Sequence, residues 1–284
     1  MKLSIITINL NNREGLERTI QSVINQTFTD FEYIVIDGGS TDGSVEHLQS
    51  FNPSTLQSFT WISEPDTGIY NAMNKGIKLA TGEYLQFLNS GDWLYSDTIL
   101  EEVFALNRTE DILYGDRYIV SDTNNFRLEQ YPANLTFDFF LDNTICHQTI
   151  FSKHVLLINE RFNENHKIAA DWEFLLKHVI LRNCSTYKLD KIIVYYPDNG
   201  ISSNPSFYEI HMNERNAILK KYFPERILSD YVELRQLKSS TSSLLYKNIK
   251  FIVQFPSLLK FIRQFIRITV AIYCFFYHIT PPKK

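Results

Sequence analysis

Short apolar runs and amphipathic stretches alternate along the first 95 residues of the chain. The apolar runs are bounded by polar turn residues and are rich in β-branched or aromatic side chains, which predicts strands at residues 3–8, 31–36, 59–62 and 84–88. Apolar residues recur at helical spacing between these runs, which predicts helices at residues 16–24, 45–48 and 69–80. Strands that alternate with helices in this way predict an α/β fold with a mostly parallel sheet and right-handed crossovers.

Beyond residue 95 the pattern is less regular. Further helices are predicted at residues 99–104, 171–182 and 207–223, and further strands at residues 112–114, 117–120, 126–131 and 187–196. Neither an internal repeat nor a low-complexity linker separates these elements. A chain of 284 residues is long enough for one large α/β domain with an appendage.

Charged residues are unevenly distributed along the chain. The formal net charge is −4, which argues against a general nucleic-acid-binding protein. Residues 240–284 contain seven Lys or Arg and no acidic residue, so the preceding part holds 21 basic and 32 acidic side chains, a net charge of −11. A basic, apolar tail on an acidic body predicts contact with an anionic membrane surface.

The composition of the tail indicates which kind of membrane contact to expect. Residues 244–279 are mostly apolar with interspersed Lys and Arg, and Arg263 and Arg267 interrupt the longer apolar stretches. The continuous run at residues 268–277 is well short of the roughly 20 residues that span a bilayer. We therefore expect helices that lie in the membrane interface. The alternative is a helical appendage packed on the domain or on a second subunit.

The cysteines and the N-terminus bear on the cellular compartment. Cys146, Cys184 and Cys274 show neither metal-ligand spacing nor an even count, as expected in a reducing compartment. The N-terminus runs straight into a strand and lacks the long apolar segment of a secretory signal. These features predict a cytoplasmic protein, and the tail predicts a position at the inner face of the cell membrane.

Three acidic residues stand where α/β enzymes bind their ligands. Asp37 follows the second predicted strand inside a Gly/Ser/Thr loop, and Asp92 follows the fourth at the end of the polar segment 89–92. The carboxyl ends of parallel strands form the ligand crevice, where a carboxylate can bind a base, a ribose or a cation. Asp171 begins a predicted helix. Each acid also has a plain interpretation, as part of a polar turn or as a helix cap or first-turn acid.

Five segments, in this order, carry a resemblance to a known family. They are TINLNN at residues 7–12, VIDGGSTDGS at 35–44, DTGIYNAMNKG at 66–76, ATGEY at 80–84 and FLNSGD at 87–92. The set resembles bacterial family 2 glycosyltransferases of GT-A fold, most of all the colanic-acid and exopolysaccharide type, over about residues 3–205. The resemblance implies a Rossmann-like GT-A domain at 1–205, with a nucleotide-binding half (1–95) and an acceptor-binding half (96–205), followed by a helical C-terminal region (206–284).

The resemblance implies inverting transfer of one sugar from a nucleoside diphosphate sugar to a hydroxyl of a glycan or lipid-linked sugar acceptor. It implies nucleotide contacts from Thr7, Asn9, Asp37, Asp66, Ser90 and Gly91. Asp92 would hold a divalent metal, Mg²⁺ or Mn²⁺, and Asn89 replaces the first acid of the family's metal-binding segment, which leaves one carboxylate. Asp171 would be the catalytic base, with Ala170 where the family often has a second acid.

His147 and Ser202 complete the predicted site. The family often has a His-Gln segment like residues 147–148 on the acceptor or diphosphate side, and a mobile closing loop like residues 200–203. A core histidine and a plain turn are the competing interpretations. The chain lacks the Gln-x-x-Arg-Trp motif that the family's processive synthases carry, which favours transfer of a single sugar.

Two other functions remain open from the sequence. A sugar nucleotidyltransferase shares the sheet architecture, although the loop after the first strand lacks the glycines that would grip a triphosphate. A non-catalytic nucleotide-sugar-binding module would account for Asn89 and Ala170. The chain has no G-x-x-x-x-G-K-[ST] loop, and the absence of G-x-G-x-x-G after the first strand argues against dinucleotide binding.

Overall fold

A computed structural model of the protein describes residues 1–51, 58–122, 125–198, 200, 205–242, 248, 250–251 and 253–277. The strands are β1 (Leu3–Asn9), β2 (Phe31–Asp37), β3 (Phe59–Ser63), β4 (Tyr84–Phe87), β5 (Trp93–Leu94), β6 (Ile112–Asp122), β7 (Asn125–Glu129), β8 (Ile150–Lys153) and β9 (Thr186–Pro197). The helices are α1 (Arg13–Ile24), α2 (Ser44–Ser50), α3 (Ile69–Leu79), α4 (Ile99–Phe104), α5 (Phe137–Asp142), α6 (His154–Asn159), α7 (Ala170–Leu175), α8 (Tyr208–Tyr222), α9 (Glu225–Ser242) and α10 (Pro256–Tyr277). A 3-10 turn at His147–Thr149 precedes β8, and a π-helical turn at Leu176–Leu181 continues α7.

The sheet has a parallel half and a mixed half. β3, β2, β1 and β4 lie side by side in that order and are parallel. β8 then pairs antiparallel with both β4 and β6, while β6 and β9 are parallel. β5 and β7 add antiparallel strands to β9 and β6. The predicted α/β fold class is confirmed, and the predicted parallel pairing describes the N-terminal half of the sheet.

β1 and β2 are buried along their whole length, because helices cover both faces of the parallel half. On one face Leu3 and Ile5 join a core cluster with the apolar side of α1. On the other face α3 approaches β1 closely, and a Cβ at Gly76 would lie 2.4 Å from Cγ2 of Ile6. The parallel register sets Asn9 opposite Asp37, so the two strands bring their polar ends together at one edge.

The long strand β6 replaces two strands that the sequence pattern predicts separately, at residues 112–114 and 117–120. The register between β6 and β9 shifts between Tyr114 and Arg117, which indicates a bulge rather than a chain break. Gly115 lies in this stretch, and a Cβ there would lie 2.5 Å from Cγ1 of Ile193. The close packing of two backbones explains the irregular sequence pattern in the middle of a continuous strand.

The chain divides into two compact units, residues 1–219 and 220–284. The first unit contains the whole sheet, α1 to α7 and most of α8, so it extends beyond the predicted boundary between residues 205 and 206. The second unit contains the end of α8 together with α9 and α10. Among the described residues, no helix combines the length and the apolar character that crossing a bilayer requires.

Candidate active site

A polar cluster lies where β1, β2 and β3 end. The carboxylate of Asp37, the last residue of β2, is fully buried and accepts hydrogen bonds from Nδ2 of Asn9 at 2.8 Å, Oγ of Ser40 at 2.6 Å and Oγ of Ser63 at 2.7 Å. The backbone N–H groups of Gly39 and Ser40 donate to the same carboxylate. Asp37 therefore organises the loop that follows β2 and ties it to β1 and β3.

The electrostatics of this cluster favour an ionised Asp37. Burial alone would raise the pKa of Asp37, but the hydrogen bonds from Ser40, Ser63 and Asn9 more than offset burial and hold the pKa below its ordinary value. Oδ1 of Asn9 is buried beside the carboxylate, and no donor of the described residues reaches it. The cluster thus offers an unused acceptor next to a fixed negative charge.

Thr7 and Asp66 were both predicted to contact the nucleotide, and they occupy different environments. The side chain of Thr7 is fully buried and its hydroxyl is 2.9 Å from the hydroxyl of Tyr33, so only its backbone could reach a ligand. Asp66 is partly buried and accepts a hydrogen bond from the N–H of Gly68 at 3.0 Å. A Cβ at Gly38 would lie 2.4 Å from Oδ2 of Asp66, so Asp66 packs against the loop that follows Asp37.

The turn after β4 carries Ser90, Gly91 and Asp92, and the start of α1 anchors it. Gly91 has a φ of +106°, a conformation that favours glycine. The hydroxyl of Thr19 accepts from the N–H of Gly91 at 3.0 Å and lies 2.6 Å from the carbonyl oxygen of Asp92. Asn12 and Ser90 exchange two further hydrogen bonds between side chain and backbone. The turn is therefore fixed by α1 rather than by the sheet alone.

Asp92 is only 5% exposed, and its carboxylate has one described side-chain donor. Its Oδ2 accepts from Nε2 of Gln148 at 2.7 Å, and the thiol of Cys146 donates to Oε1 of Gln148, which fixes which end of the amide faces the acid. Burial raises the pKa of Asp92 to about 7, against the opposing effects of Gln148, His147 and Arg117. Desolvation therefore outweighs the groups that favour the ionised form, and Asp92 holds its proton to a higher pH than an ordinary Asp.

Asp171 lies at the start of α7 and is held by two elements of the first unit. Its Oδ1 accepts from the hydroxyl of Tyr70 at 3.0 Å and from the N–H of Trp172 at 2.8 Å, and its Oδ2 lies 3.1 Å from Nδ1 of His147. Burial alone would raise the pKa of Asp171, but the hydrogen bonds from His147 and Tyr70 lower it below the ordinary value. Asp171 is therefore ionised at neutral pH.

His147 connects this acid to the turn after β4. Its Nε2 lies 3.0 Å from Nδ2 of Asn89, and an amide NH₂ can only donate. The hydrogen-bond network thus assigns the proton to Nδ1, which donates to Asp171. Oδ1 of Asn89 is buried, and among the described residues it has no donor. A continuous chain of hydrogen bonds runs from Asn89 through His147 and Asp171 to Tyr70.

The two acids predicted for metal binding and for catalysis are joined through neighbouring residues. His147 contacts Asp171 and Gln148 contacts Asp92, and both belong to the same 3-10 turn. Asp92 and Asp171 therefore both contact the same 3-10 turn, Asp92 through Gln148 and Asp171 through His147. Ser202 lies outside the described residues.

Residues 4–166 match the family described as Glycosyl transferase family 2. The chain belongs to glycosyl transferase family 2. A PGL/p-HBAD biosynthesis glycosyltransferase of Mycobacterium tuberculosis is 32% identical over 206 residues, which cover 71% of this chain and 78% of the relative. TuaG of Bacillus subtilis, named for teichuronic acid biosynthesis, is 27% identical over 213 residues, which cover 71% of this chain and 82% of the relative.

Solved structures share the fold of this family 2 glycosyltransferase. Residues 1–349 of S. aureus TarS, in complex with UDP, align with a TM-score of 0.62 and 21% identity over 86% of this chain and 73% of that one. The mannosyltransferase PcManGT of Pyrobaculum calidifontis, in complex with GDP-Man and Mn²⁺, aligns with a TM-score of 0.53 and 15% identity over 87% of this chain and 82% of that one. Both confirm the GT-A-type fold class that the resemblance implied.

The donor atoms of the site fit a cation only in part. In the described part of the chain, no three His, Cys, Asp or Glu side chains are grouped to hold a metal. Asp92 supplies one carboxylate, and the unpartnered Oδ1 of Asn89 in the same turn is an amide oxygen, a ligand that hard cations accept. A cation held by these two residues would need further oxygen ligands, such as those of a diphosphate.

Sequence reasoning indicated the segment 147–148 as part of the site, but it did not reveal the partners of Gln148 and Tyr70. Gln148 contacts Asp92 across a separation of 56 residues, and Tyr70 contacts Asp171 across 101. The signal for Gln148 was its place directly after His147, because successive residues of a tight turn can serve two neighbouring groups. Nothing in the local spacing around Tyr70 indicates a contact with Asp171.

Proposed function

We propose that this family 2 glycosyltransferase is an inverting, metal-dependent enzyme that moves one sugar from a nucleoside diphosphate sugar to an acceptor hydroxyl. The observation that carries the proposal is that one 3-10 turn contacts two acids of different character, Asp171 through His147 and Asp92 through Gln148. Asp171 has a lowered pKa and two side-chain hydrogen-bond partners, whereas Asp92 has a raised pKa and one. We assign Asp171 to proton abstraction and Asp92 to a cation, which can displace the proton that Asp92 holds.

Asp171 fits the role of general base. Because its pKa is lowered, Asp171 is ionised at neutral pH, and the ionised carboxylate is the form that can accept the proton of an acceptor hydroxyl as that hydroxyl attacks the anomeric carbon. Tyr70 and His147 contact both oxygens of the carboxylate, so they fix its orientation. Inversion follows if the base and the leaving diphosphate stand on opposite faces of the sugar ring.

Asp92 and the amide oxygen of Asn89 would hold Mg²⁺ or Mn²⁺ together with diphosphate oxygens of the donor. Bound there, the cation would neutralise the charge that develops on the leaving diphosphate. Gln148 orients the carboxylate of Asp92 beforehand, since its amide is itself fixed by Cys146. A single carboxylate implies that the cation binds weakly until the donor is present.

The nucleoside would lie at the ends of β1 to β3. Asn9, Asp37 and Asp66 surround this edge, and the unpartnered Oδ1 of Asn9 can accept one N–H of a base or one hydroxyl of a ribose. Ser90 and Gly91 lie on the adjacent turn. UDP bound to TarS and GDP-Man bound to PcManGT are ligands of the same chemical class.

The acceptor is proposed to be a glycan or a lipid-linked sugar in the assembly of a cell-surface polysaccharide. The relatives named for teichuronic acid and PGL/p-HBAD biosynthesis support this class of product. The helix α10 supports a location at the inner face of the membrane. Its Phe261 and Phe265 are 68% and 62% exposed, while Lys260, Arg263 and Arg267 recur at helical spacing on one face.

The membrane contact is tested with vesicles and the full-length chain. We expect co-sedimentation with vesicles that contain anionic lipid, and about hundredfold weaker binding when Lys260, Arg263 and Arg267 are changed together to Gln, since each contributes about 1 kcal/mol near an anionic surface. No binding to either kind of vesicle would instead favour a helix that packs against protein, and equal binding to neutral vesicles would contradict the role of the basic residues.

The catalytic proposal is tested by donor turnover with and without a divalent cation. Asp171→Asn keeps the shape of the side chain and removes the base, so kcat should fall by about 10²- to 10⁴-fold while donor binding persists. Exposed Asp97→Asn is the matched control and should leave turnover unchanged. Undiminished transfer by the Asp171→Asn protein would refute the assignment. Pyrophosphate release from a nucleoside triphosphate would indicate a nucleotidyltransferase instead.

A further inference from the structure

The turn that leads into α7 is held by a residue from a distant helix. The N-cap residue of α7, Ala169, offers no side chain to the free N–H groups at the start of the helix. Glu214 of α8 accepts hydrogen bonds from three successive N–H groups, those of Lys167 at 2.7 Å, Ile168 at 3.1 Å and Ala169 at 3.0 Å. One carboxylate therefore fixes the backbone two residues before Asp171.

Arg215, the next residue of α8, contacts Trp172, the residue that follows Asp171. Its guanidinium lies over the ring of Trp172 at 4.5 Å and donates to the carbonyl oxygens of Phe140 and Asn143. Within the described residues, no carboxylate lies at salt-bridge distance from this buried guanidinium. Burial lowers the pKa of Arg215 to about 10, and the charge of Asp171 opposes this shift. A cation in this position stabilises the ionised acid beside it.

The contacts of Glu214 and Arg215 restrain the chain on both sides of Asp171. Glu214 fixes the backbone that precedes it, Arg215 contacts the indole that follows it, and the two side chains that contact its carboxylate lie on other elements, Tyr70 on α3 and His147 on the 3-10 turn. A shift of the 167–172 turn of a few tenths of an ångström would lengthen both of those hydrogen bonds. Since reacting groups need accurate placement, such a shift would slow catalysis.

We propose that Glu214 and Arg215 are positioning residues of the transfer reaction, and that α8 acts as a strap which aims Asp171 at the acceptor hydroxyl. This inference rests on the proposed function and deepens it by assigning a role to a helix outside the family match at residues 4–166. Neither residue reaches the reacting atoms. Their effect passes through the backbone of residues 167–169 and the side chain of Trp172.

The strap is tested with Glu214→Ala and Glu214→Gln in the full-length protein, with Glu209→Gln as the matched control. Glu209 is an exposed acid in the first turn of the same helix. We expect Glu214→Ala to lower kcat by ten- to a hundredfold with the donor KM changed less than twofold. Glu214→Gln should lie between Glu214→Ala and the native protein, because its amide oxygen still accepts. Glu209→Gln should match the native protein.

A pH profile separates positioning from mere stabilisation. The titratable or charged groups that face Asp171 are Tyr70, His147, His211 and Arg215. If the turn moves, the hydrogen bonds from Tyr70 and His147 weaken, so the acidic limb of the kcat profile should move to higher pH in Glu214→Ala. Loss of active protein alone would scale kcat and leave the limb in place, and that result would overturn the proposal.

The outcome for Asp171→Asn distinguishes the failure of this inference from the failure of the proposed function. If Asp171→Asn is inactive and Glu214→Ala turns over like the native protein, the strap is wrong and the base assignment stands. If Asp171→Asn keeps full activity, the base assignment fails first. Arg215→Lys, which keeps the charge and loses the planar stack on Trp172, should show a smaller loss of kcat than Arg215→Ala.

Discussion

Asp37 and Asp92 end two strands of the same parallel sheet, and their surroundings differ. The carboxylate of Asp37 accepts five hydrogen bonds and has a lowered pKa, whereas that of Asp92 has Gln148 as its one described side-chain donor and a pKa raised to about 7. Neither carboxylate faces solvent, but Asp92 lies deeper in the protein, so burial raises its pKa more. The deeper burial of Asp92 and the larger number of donors around Asp37 together explain why the fold satisfies one acid and leaves the other with a single side-chain donor.

The first way to sharpen this comparison is the pH dependence of cation binding. Because the ion-free Asp92 has a pKa of about 7, a divalent cation must displace a proton below that pH, and the apparent affinity for Mn²⁺ in the presence of donor should fall about tenfold per pH unit. Titration calorimetry between pH 5.5 and 8.5 measures the slope. Asp92→Asn should abolish the proton-linked slope, and an unchanged slope in that variant would place the cation elsewhere.

The directions of the two pKa shifts also determine how pH changes the contribution of Asp92 and Asp37 to folding stability. Since the folded-state pKa of Asp92 is raised above 3.8, the folded protein retains a proton that the unfolded chain has already lost between about pH 4 and 7. The contribution of this group to stability is therefore present below that window and lost as the pH rises through about 7. For Asp37, whose pKa is lowered, the contribution is present at neutral pH and lost in acid.

The second test removes the satisfied acid. Asp37→Asn introduces an NH₂ group among donors and should lower the free energy of unfolding by about 1–3 kcal/mol, as for a buried group left unpaired. Urea denaturation at pH 7 measures it. The control is Asp42→Asn, an exposed acid of the same loop that accepts from the N–H of Arg13 at 2.8 Å and should cost less. Equal costs would contradict the organising role of Asp37.

The smallest expected effect concerns Asp171, the third acid of the candidate site. Tyr70→Phe removes one hydrogen bond, which contributes about 0.5–1.5 kcal/mol, so kcat should fall about two- to tenfold. That hydrogen bond lowers the pKa of Asp171, so its loss should move the acidic limb of the kcat profile to higher pH. Tyr33→Phe removes a hydroxyl contact to Thr7 in the core and should leave the limb unchanged. Identical profiles for both variants would argue against Tyr70.

The parallel half of the fold was predictable because each of its strands is a local signal. β1 and β2 are buried on both faces, so their sequences are continuous apolar runs that end in polar residues. β5 and β8 contain two and four residues and exist through pairing with β9, β4 and β6. Two residues are too few for a pattern, and the partners of both strands are distant in the chain, whereas β4, which also has four residues, lies within the regular alternation of strands and helices.

The same division applies to the candidate site. The positions of Asp37 and Asp92 follow from the rule that ligand groups lie at the carboxyl ends of parallel strands. The contacts that distinguish their chemistry join residues that are far apart, such as Gln148 with Asp92 and Glu214 with the turn before α7. Spacing along the chain cannot reveal such contacts, because they depend on which distant elements pack together in the folded protein.

The adjacency of His147 and Gln148 has a consequence for how this enzyme could change over time. Consecutive Cα atoms are about 3.8 Å apart, so a single peptide unit sets the distance between the partners of the two acids. Neither acid can be moved alone without breaking one of these links. A variant that accommodates a bulkier donor is therefore expected to arise by mutation of residues around Asp92 and Asp171. An insertion between residues 147 and 148 would instead move the partners of these two acids apart in one step.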